Sequence, residues 1–255
     1  MELWEALAVL AAGIAAGTIN TVVGSGTLIT FPVLLAIGLP PITANVSNSL
    51  GLVFGNISGA YGYRRELRGQ RRRLLRFGTM ALIGSLTGAA LLILLPPEAF
   101  DTIVPVLIGL GVVLVALQPR LARAVRRHRE QHGTDTHPDG GPLLLVGLLL
   151  TSVYGGYFGA AMGVLYLALM GMLLHDDLQR INAAKNLLAV VVNSVAVLFF
   201  LFVADFDWTA VLLIAVGSTL GGLLGATVGR RLPPTVLRIV IIVVGLAAIV
   251  RLLLT

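Results

Sequence analysis

The stretch INAAKNLLAVVVNS, residues 181–194, holds the chain's single lysine, Lys185, near the start of an apolar run that reaches about residue 203. Asn182, Asn186 and Asn193 share its helical face, because the spacing 182, 185, 186, 189, 193 keeps to one side of a 3.6-residue period. An ammonium beside three amides is chemistry for holding a small anion: one fixed charge and several neutral donors. The same spacing recurs at 45, 48, 49, 52 and 56, where Asn45, Asn48, Ser49 and Asn56 stand.

Polar groups turned to lipid would cost energy with nothing to offset it. Both stripes are therefore expected to face protein or water. Two blander roles compete. Asparagines can join helices by hydrogen bonds worth roughly 0.6 to 2 kcal/mol. Lys185, about one turn into its helix, can snorkel to the interface. Against both stands the repetition of the stripe. No Asp or Glu stands in the interior of a span to neutralise Lys185, and an unneutralised buried cation is costly. An anionic substrate would offset that cost.

The elements that must carry these residues are read from composition. The 255 residues are 57% hydrophobic and 12% charged, with a mean hydropathy of +0.95. A soluble domain carries about 25% charged residues, and apolar runs of about 20 residues, the length that crosses a bilayer, recur here. The chain reads as a polytopic membrane protein. Its acidic start, MELWEALAVLAAG, lacks the basic region of a signal peptide and reads as a retained span. There is no cysteine, hence no disulfide and no thiolate metal site. The net charge of +6 is spread over short loops between spans, the positive-inside pattern rather than a nucleic-acid surface.

Apolar runs lie at about 3–23, 74–95, 99–118, 142–158, 181–203, 209–229 and 235–254, with a polar-dotted helix at about 42–63. Two short runs, about 27–38 and 160–174, can either cross or re-enter. The basic stretches 64–73, 120–141 and 230–234 are expected in the cytoplasm, and 96–101 and 204–208 outside. The halves align at an offset of about 137: Asn45, Asn48, Ser49 and Asn56 fall on Asn182, Lys185, Asn186 and Asn193. The loop charges give matching segments opposite orientations. The expected fold is an all-α membrane helix bundle of two inverted repeats with broken, glycine-rich helices. Residues 1–119 form the first repeat, 120–141 a cytoplasmic linker, and 142–255 the second repeat.

GTINTVVGSGTLITFP (17–32) and SVYGGYFGAAMG (152–163) interrupt the two halves at matching places. Glycine-interrupted apolar segments in both halves are the best sequence pointer to a transporter site. Breaking a helix at membrane depth exposes backbone N–H groups at a positive helix end. Gly24, Gly26 and Gly159 supply the breaks, and Asn20, Ser25, Thr27 and Tyr157 add neutral donors. The plainer alternative is close helix packing through small residues.

These features together resemble the TauE/SafE family of membrane transporters, the sulfite-exporter-like group. The resemblance runs through VVGSGTLITFPVLLAIGLPPITANVSNSLG in the first half and NAAKNLL in the second, and covers essentially the whole chain. It implies movement of a small anion, sulfur-containing such as sulfite or an organosulfonate, or a short carboxylate.

Other classes fit less well. A hydrolase needs a base beside Ser25, but the histidines, 128, 132, 137 and 175, lie in or beside loops. The spans lack metal ligands. No catalytic residue, metal or cofactor is expected, and the expected partners are the lipid bilayer and a small anionic substrate. An anion channel and a non-transporting scaffold remain as alternatives.

Overall fold

The computed structural model describes residues 1–132, 140–227 and 234–254. Every regular element in them is helical: α1 Leu3–Val22, α2 Thr27–Ala36, α3 Pro41–Gly62, α4 Arg71–Leu94, α5 Pro97–His132, α6 Gly141–Tyr157, α7 Met162–Leu173, α8 Leu178–Phe200, α9 Trp208–Thr227 and α10 Pro234–Leu254. Among the described residues, α1, α4, α5, α8 and α9 are long and apolar enough to cross a membrane. The molecule is an all-α polytopic membrane helix bundle. Residues 133–139 of the expected linker and 230–233 of the expected basic loop lie outside the described residues.

Helix directions follow from side-by-side contacts. Gly13 packs on Ile214 and Gly17 on Ser218, so α1 and α9 run parallel. Gly51 packs on Ile214 and Gly62 on Ala226, which sets α3 parallel to α9. Gly84 meets Ser152 and Gly88 meets Tyr157, so α4 and α6 are parallel as well. Tyr63, just past the end of α3, shares a cluster with Ala183 near the start of α8, so those two helices are antiparallel. Small residues at these crossings let backbones close on one another, which is how helices associate in lipid.

Because α1 and α3 run the same way, the chain between them must turn back. It does so with α2, only 10 residues or about 15 Å long, against a hydrocarbon core of about 30 Å. Between α6 and α8, α7 has 12 residues, about 18 Å. Neither short helix crosses alone; non-helical backbone completes each return.

The two ends of the bundle differ in chemistry. The exposed Trp4 and Trp208 start two parallel helices and so sit at one end, as interfacial tryptophans do. Arg64, Arg65, Arg68, Arg71 and Arg72 follow α3 at the other end.

One reading of the sequence changes. The span expected to stop near residue 118 continues as α5 to His132, through part of the expected linker. Residues 120–132 are rich in Arg, Ala, Gln and Glu, which favour helix. Val125 is buried there and fits against Gly171 of α7. The polar-dotted helix expected at about 42–63 is α3, and its asparagines, serines and glycines keep it out of the long apolar helices. It packs among α1, α8 and α9, so protein rather than lipid surrounds those groups.

Candidate functional site

Both glycine-rich interruptions end a helix in the same way. At the end of α1, the Ile19 carbonyl accepts the N–H groups of Val23 (2.7 Å) and Gly24 (2.9 Å). At the end of α6, the Tyr154 carbonyl accepts those of Phe158 (2.9 Å) and Gly159 (3.0 Å). Gly24 (φ 88) and Gly159 (φ 76) take the left-handed conformation that this termination requires and that glycine adopts freely. The chain then restarts as α2 and α7.

The two breaks touch. The Gly163 N–H donates to the Gly24 carbonyl at 3.0 Å. A Cβ on Gly24 would stand 2.4 Å from the Gly163 Cα, and one on Gly163 would stand 2.5 Å from the Gly24 Cα. Only glycine allows this approach. It brings the N-terminal ends of α2 and α7 to one point, each a locus of partial positive charge.

The last carbonyls of a helix have no partner within it. Those of α1 are satisfied from α8. Lys185 Nζ donates to Asn20 O at 2.8 Å and to Thr21 O at 3.1 Å. Asn182 Nδ2 and Asn186 Nδ2 each donate to Thr21 O at 3.3 Å. The end of α6 receives a smaller counterpart from α3, a hydrogen bond from Asn45 Nδ2 to Tyr157 O at 3.0 Å. Lys185 is 1% exposed, so it does not snorkel to the interface. Its hydrogen bonds among the described residues go to main-chain carbonyls, not to a carboxylate.

Lys185 borders a cavity of about 20 Å³, room for about one water-sized group. Asn20, Gly24, Thr27, Gly159 and Asn193 also line it. The remaining candidates stand behind this wall. Asn20 donates from Nδ2 to Asn56 Oδ1 at 3.2 Å and accepts from the Gly26 N–H at 2.7 Å. Asn48 accepts from Thr30 and donates to Thr27 Oγ1 at 3.4 Å, which ties α3 to the start of α2. Ser49 turns back to Asn45 O at 2.9 Å. The Ser25 hydroxyl, the Tyr157 hydroxyl, Asn45 Oδ1, Asn56 Nδ2 and Asn182 Oδ1 are buried without a partner.

The two stripes thus meet the two breaks, yet only Lys185 and Asn193 of the stripe residues named in advance border the cavity. Asn45, Asn48, Asn56, Asn182 and Asn186 brace the helix ends around it. Met162, Gly163 and Ala189 line it too and were not singled out as site residues. Ala189 lay on the stripe, and Met162 and Gly163 in the GAAMG break, so all three had a signal.

One ionic group adjoins the site at the arginine-rich end. Asp176 accepts from Arg73 of α4 and, at 2.8 Å, from Arg180 Nε of α8. Burial opposes ionisation of Asp176. The Arg73 hydrogen bond, the Asp177 N–H and the charges of Arg73 and Arg180 outweigh it and hold the carboxyl below the usual carboxylate range. At the opposite end, Phe31 and Phe158 pack edge to face at 5.1 Å, and Phe100 joins Tyr157 at 5.8 Å and Phe158 at 6.2 Å.

A membrane-spanning bundle with two interrupted helices meeting at a buried polar centre around Lys185 has the make-up of a membrane transporter. The chain belongs to the TauE/SafE family: the profile described as "Sulfite exporter TauE/SafE" matches residues 9–252. It is 27% identical over 239 residues to the probable membrane transporter protein YfcA of Escherichia coli (strain K12), covering 93% of this chain and 86% of that one. The probable membrane transporter protein ORF9 of a Sinorhizobium species is 27% identical over 238 residues, covering 93% and 88%. A probable membrane transporter protein of Haemophilus influenzae is 25% identical over 236 residues, covering 91% and 88%. No solved structure matches the chain significantly. The protein is therefore a multi-pass membrane transporter and not an enzyme.

Proposed function

We propose that the protein is a secondary transporter of a small anion, sulfur-containing such as sulfite or an organosulfonate, or a short carboxylate, bound where the two halves meet. One observation carries the reading: the buried Lys185 ammonium, bonded to carbonyls and to no carboxylate, borders the cavity at which α2 and α7 begin. The C-termini of α1 and α6 each contribute about half a negative charge and the N-termini of α2 and α7 about half a positive one, so the four ends cancel and the charge of Lys185 remains. The centre therefore keeps a net positive charge, and an anion would neutralise it. The family's description names a sulfite exporter, which supports a sulfur oxyanion.

A cavity of about 20 Å³ is too small for a hydrated oxyanion, so binding requires the walls to part. The halves supply two unlike closures, the Arg73–Asp176–Arg180 group at one end and the Phe31, Phe100, Tyr157, Phe158 cluster at the other. We read the halves as inverted repeats that rock against each other. The parallel pairings of α1 with α9 and of α4 with α6, and the antiparallel α3 and α8, support this. So does the shared termination at Gly24 and Gly159.

The test is flux into proteoliposomes, screened over sulfite, sulfonates, sulfate, thiosulfate and short carboxylates. Saturable flux of at least one of them is expected. Flux that rises linearly with concentration would mean a channel, and no flux of any of these anions would overturn the reading.

A further inference from the structure

Lys185 does more than border the cavity. It closes a helix end that is otherwise a cation site in form. The C-terminus of α1 presents two adjacent main-chain oxygens inside the bundle, Asn20 O and Thr21 O, at 2.8 and 3.1 Å from Lys185 Nζ. Asn182, whose Nδ2 reaches the same Thr21 O, keeps its own Oδ1 buried and unpartnered. Transporters commonly hold a coupling cation with the carbonyls of such interrupted helices. Here a covalently attached cation occupies that position. At the matching end of α6, Asn45 Nδ2 donates to Tyr157 O at 3.0 Å.

We propose that the Lys185 ammonium is a tethered monovalent cation, standing where a free sodium or potassium ion would otherwise bind at the end of α1. Two of its three N–H groups hold the carbonyls, and the third is left for the cavity. The positive charge that an anion needs is thus built into the chain. Anion movement then requires no bound alkali cation. Removal of the side chain leaves a vacancy, bounded by carbonyl oxygens, that takes a small ammonium ion. The consequence for flux rests on the anion-transport reading above; the consequence for stability does not.

The experiment compares the wild type, Lys185→Ala and Lys185→Met, each purified in detergent, by thermal unfolding. Methylammonium chloride is titrated against choline chloride at constant total chloride. Lys185→Ala should melt below the wild type, and methylammonium should restore much of the loss in a saturable way. Choline, too bulky for the vacancy, should not. Lys185→Met fills the vacancy with an apolar chain and should not respond, nor should the wild type. A Lys185→Ala protein that responds no better to methylammonium than to choline overturns the proposal. A second measurement needs no variant: wild-type sulfite flux should be equal in sodium, potassium and N-methylglucamine media. A flux that requires sodium or potassium also overturns it. If no anion is transported at all, the transport reading falls, and the melting result decides the tethered-cation proposal alone.

Discussion

Gly163→Ala is the sharpest small change available, because it adds one carbon at the point where the two breaks meet. Its Cβ would stand 2.5 Å from the Gly24 Cα, 3.0 Å from the Gly24 carbonyl oxygen and 3.1 Å from the Lys185 Cδ. Two of these are backbone atoms, so no rotamer change relieves them. Overpacking of a close-packed core costs about 1 to 3 kcal/mol. Parting the two breaks also weakens the Gly163 N–H to Gly24 carbonyl bond, worth about 0.5 to 1.5 kcal/mol. Alanine in the first turn of α7 returns up to about 1 kcal/mol of helix propensity. The net is a loss of about 1 to 3 kcal/mol. Gly78→Ala is the control, since a Cβ there meets nothing within 4 Å and α4 is helical around it. Thermal unfolding in detergent should place Gly163→Ala clearly below the wild type and Gly78→Ala at or above it. Equal midpoints for the two variants would refute the claim that the breaks touch.

Ala161 sits at φ 58, where a non-glycine residue is strained. Ala161→Gly relieves about 1 kcal/mol of that strain but deletes a fully buried methyl worth about as much, so the melting point should move little, and a fall as large as that of Gly163→Ala would contradict this. Asp176 carries a depressed folded-state pKa, so its ion pairs stabilise the fold above the unfolded carboxylate value near 3.9, and that gain is lost as pH falls through the folded value. Asp176→Asn should cost about 1 to 2 kcal/mol at neutral pH, with the gap to the wild type closing in acid; a gap that does not change with pH would remove the ion pairs from the account. The chain has no cysteine, so single cysteines report sidedness cleanly. Cysteines at Glu98 and Asp205 should react with an impermeant maleimide from outside the cell, and one at Arg68 should not; reaction at 68 together with 205 would break the inverted arrangement.

The spans were legible because lipid imposes a length and a composition on each helix. The end of α5 was not, since Arg120 onward is polar and a helix continuing beyond its apolar span leaves no hydropathy signal. The stripe through Lys185 was legible as one face of α8, but what it faces was not. Main-chain carbonyls at the end of α1 have no signature in residue type, so a lysine held by Asn20 O and Thr21 O looks in sequence like a lysine waiting for an anion. The first-half stripe shows the same limit. Asn48 is committed to Thr27 and Thr30, and Asn56 to Asn20, and only the path of the chain through residues 23–26 puts those partners in reach. The contact of Gly24 with Gly163 joins two breaks far apart in the chain, and periodicity within either half carries no trace of it.

The central claim is that the positive charge at Lys185 holds the transported anion. Lys185→Gln tests it most directly, because the amide removes the charge while keeping an N–H donor on a side chain one atom shorter. The measurement is the initial rate of uptake into proteoliposomes, for whichever anion the wild type carries best, with matching size-exclusion and circular-dichroism profiles at the assay temperature as proof of an intact fold. A charged hydrogen bond lost from a buried site is worth about 1.5 to 3 kcal/mol, so kcat/KM should fall by about tenfold to a hundredfold. Uptake by Lys185→Gln at the wild-type rate would contradict the account and leave Lys185 as a clasp on the end of α1.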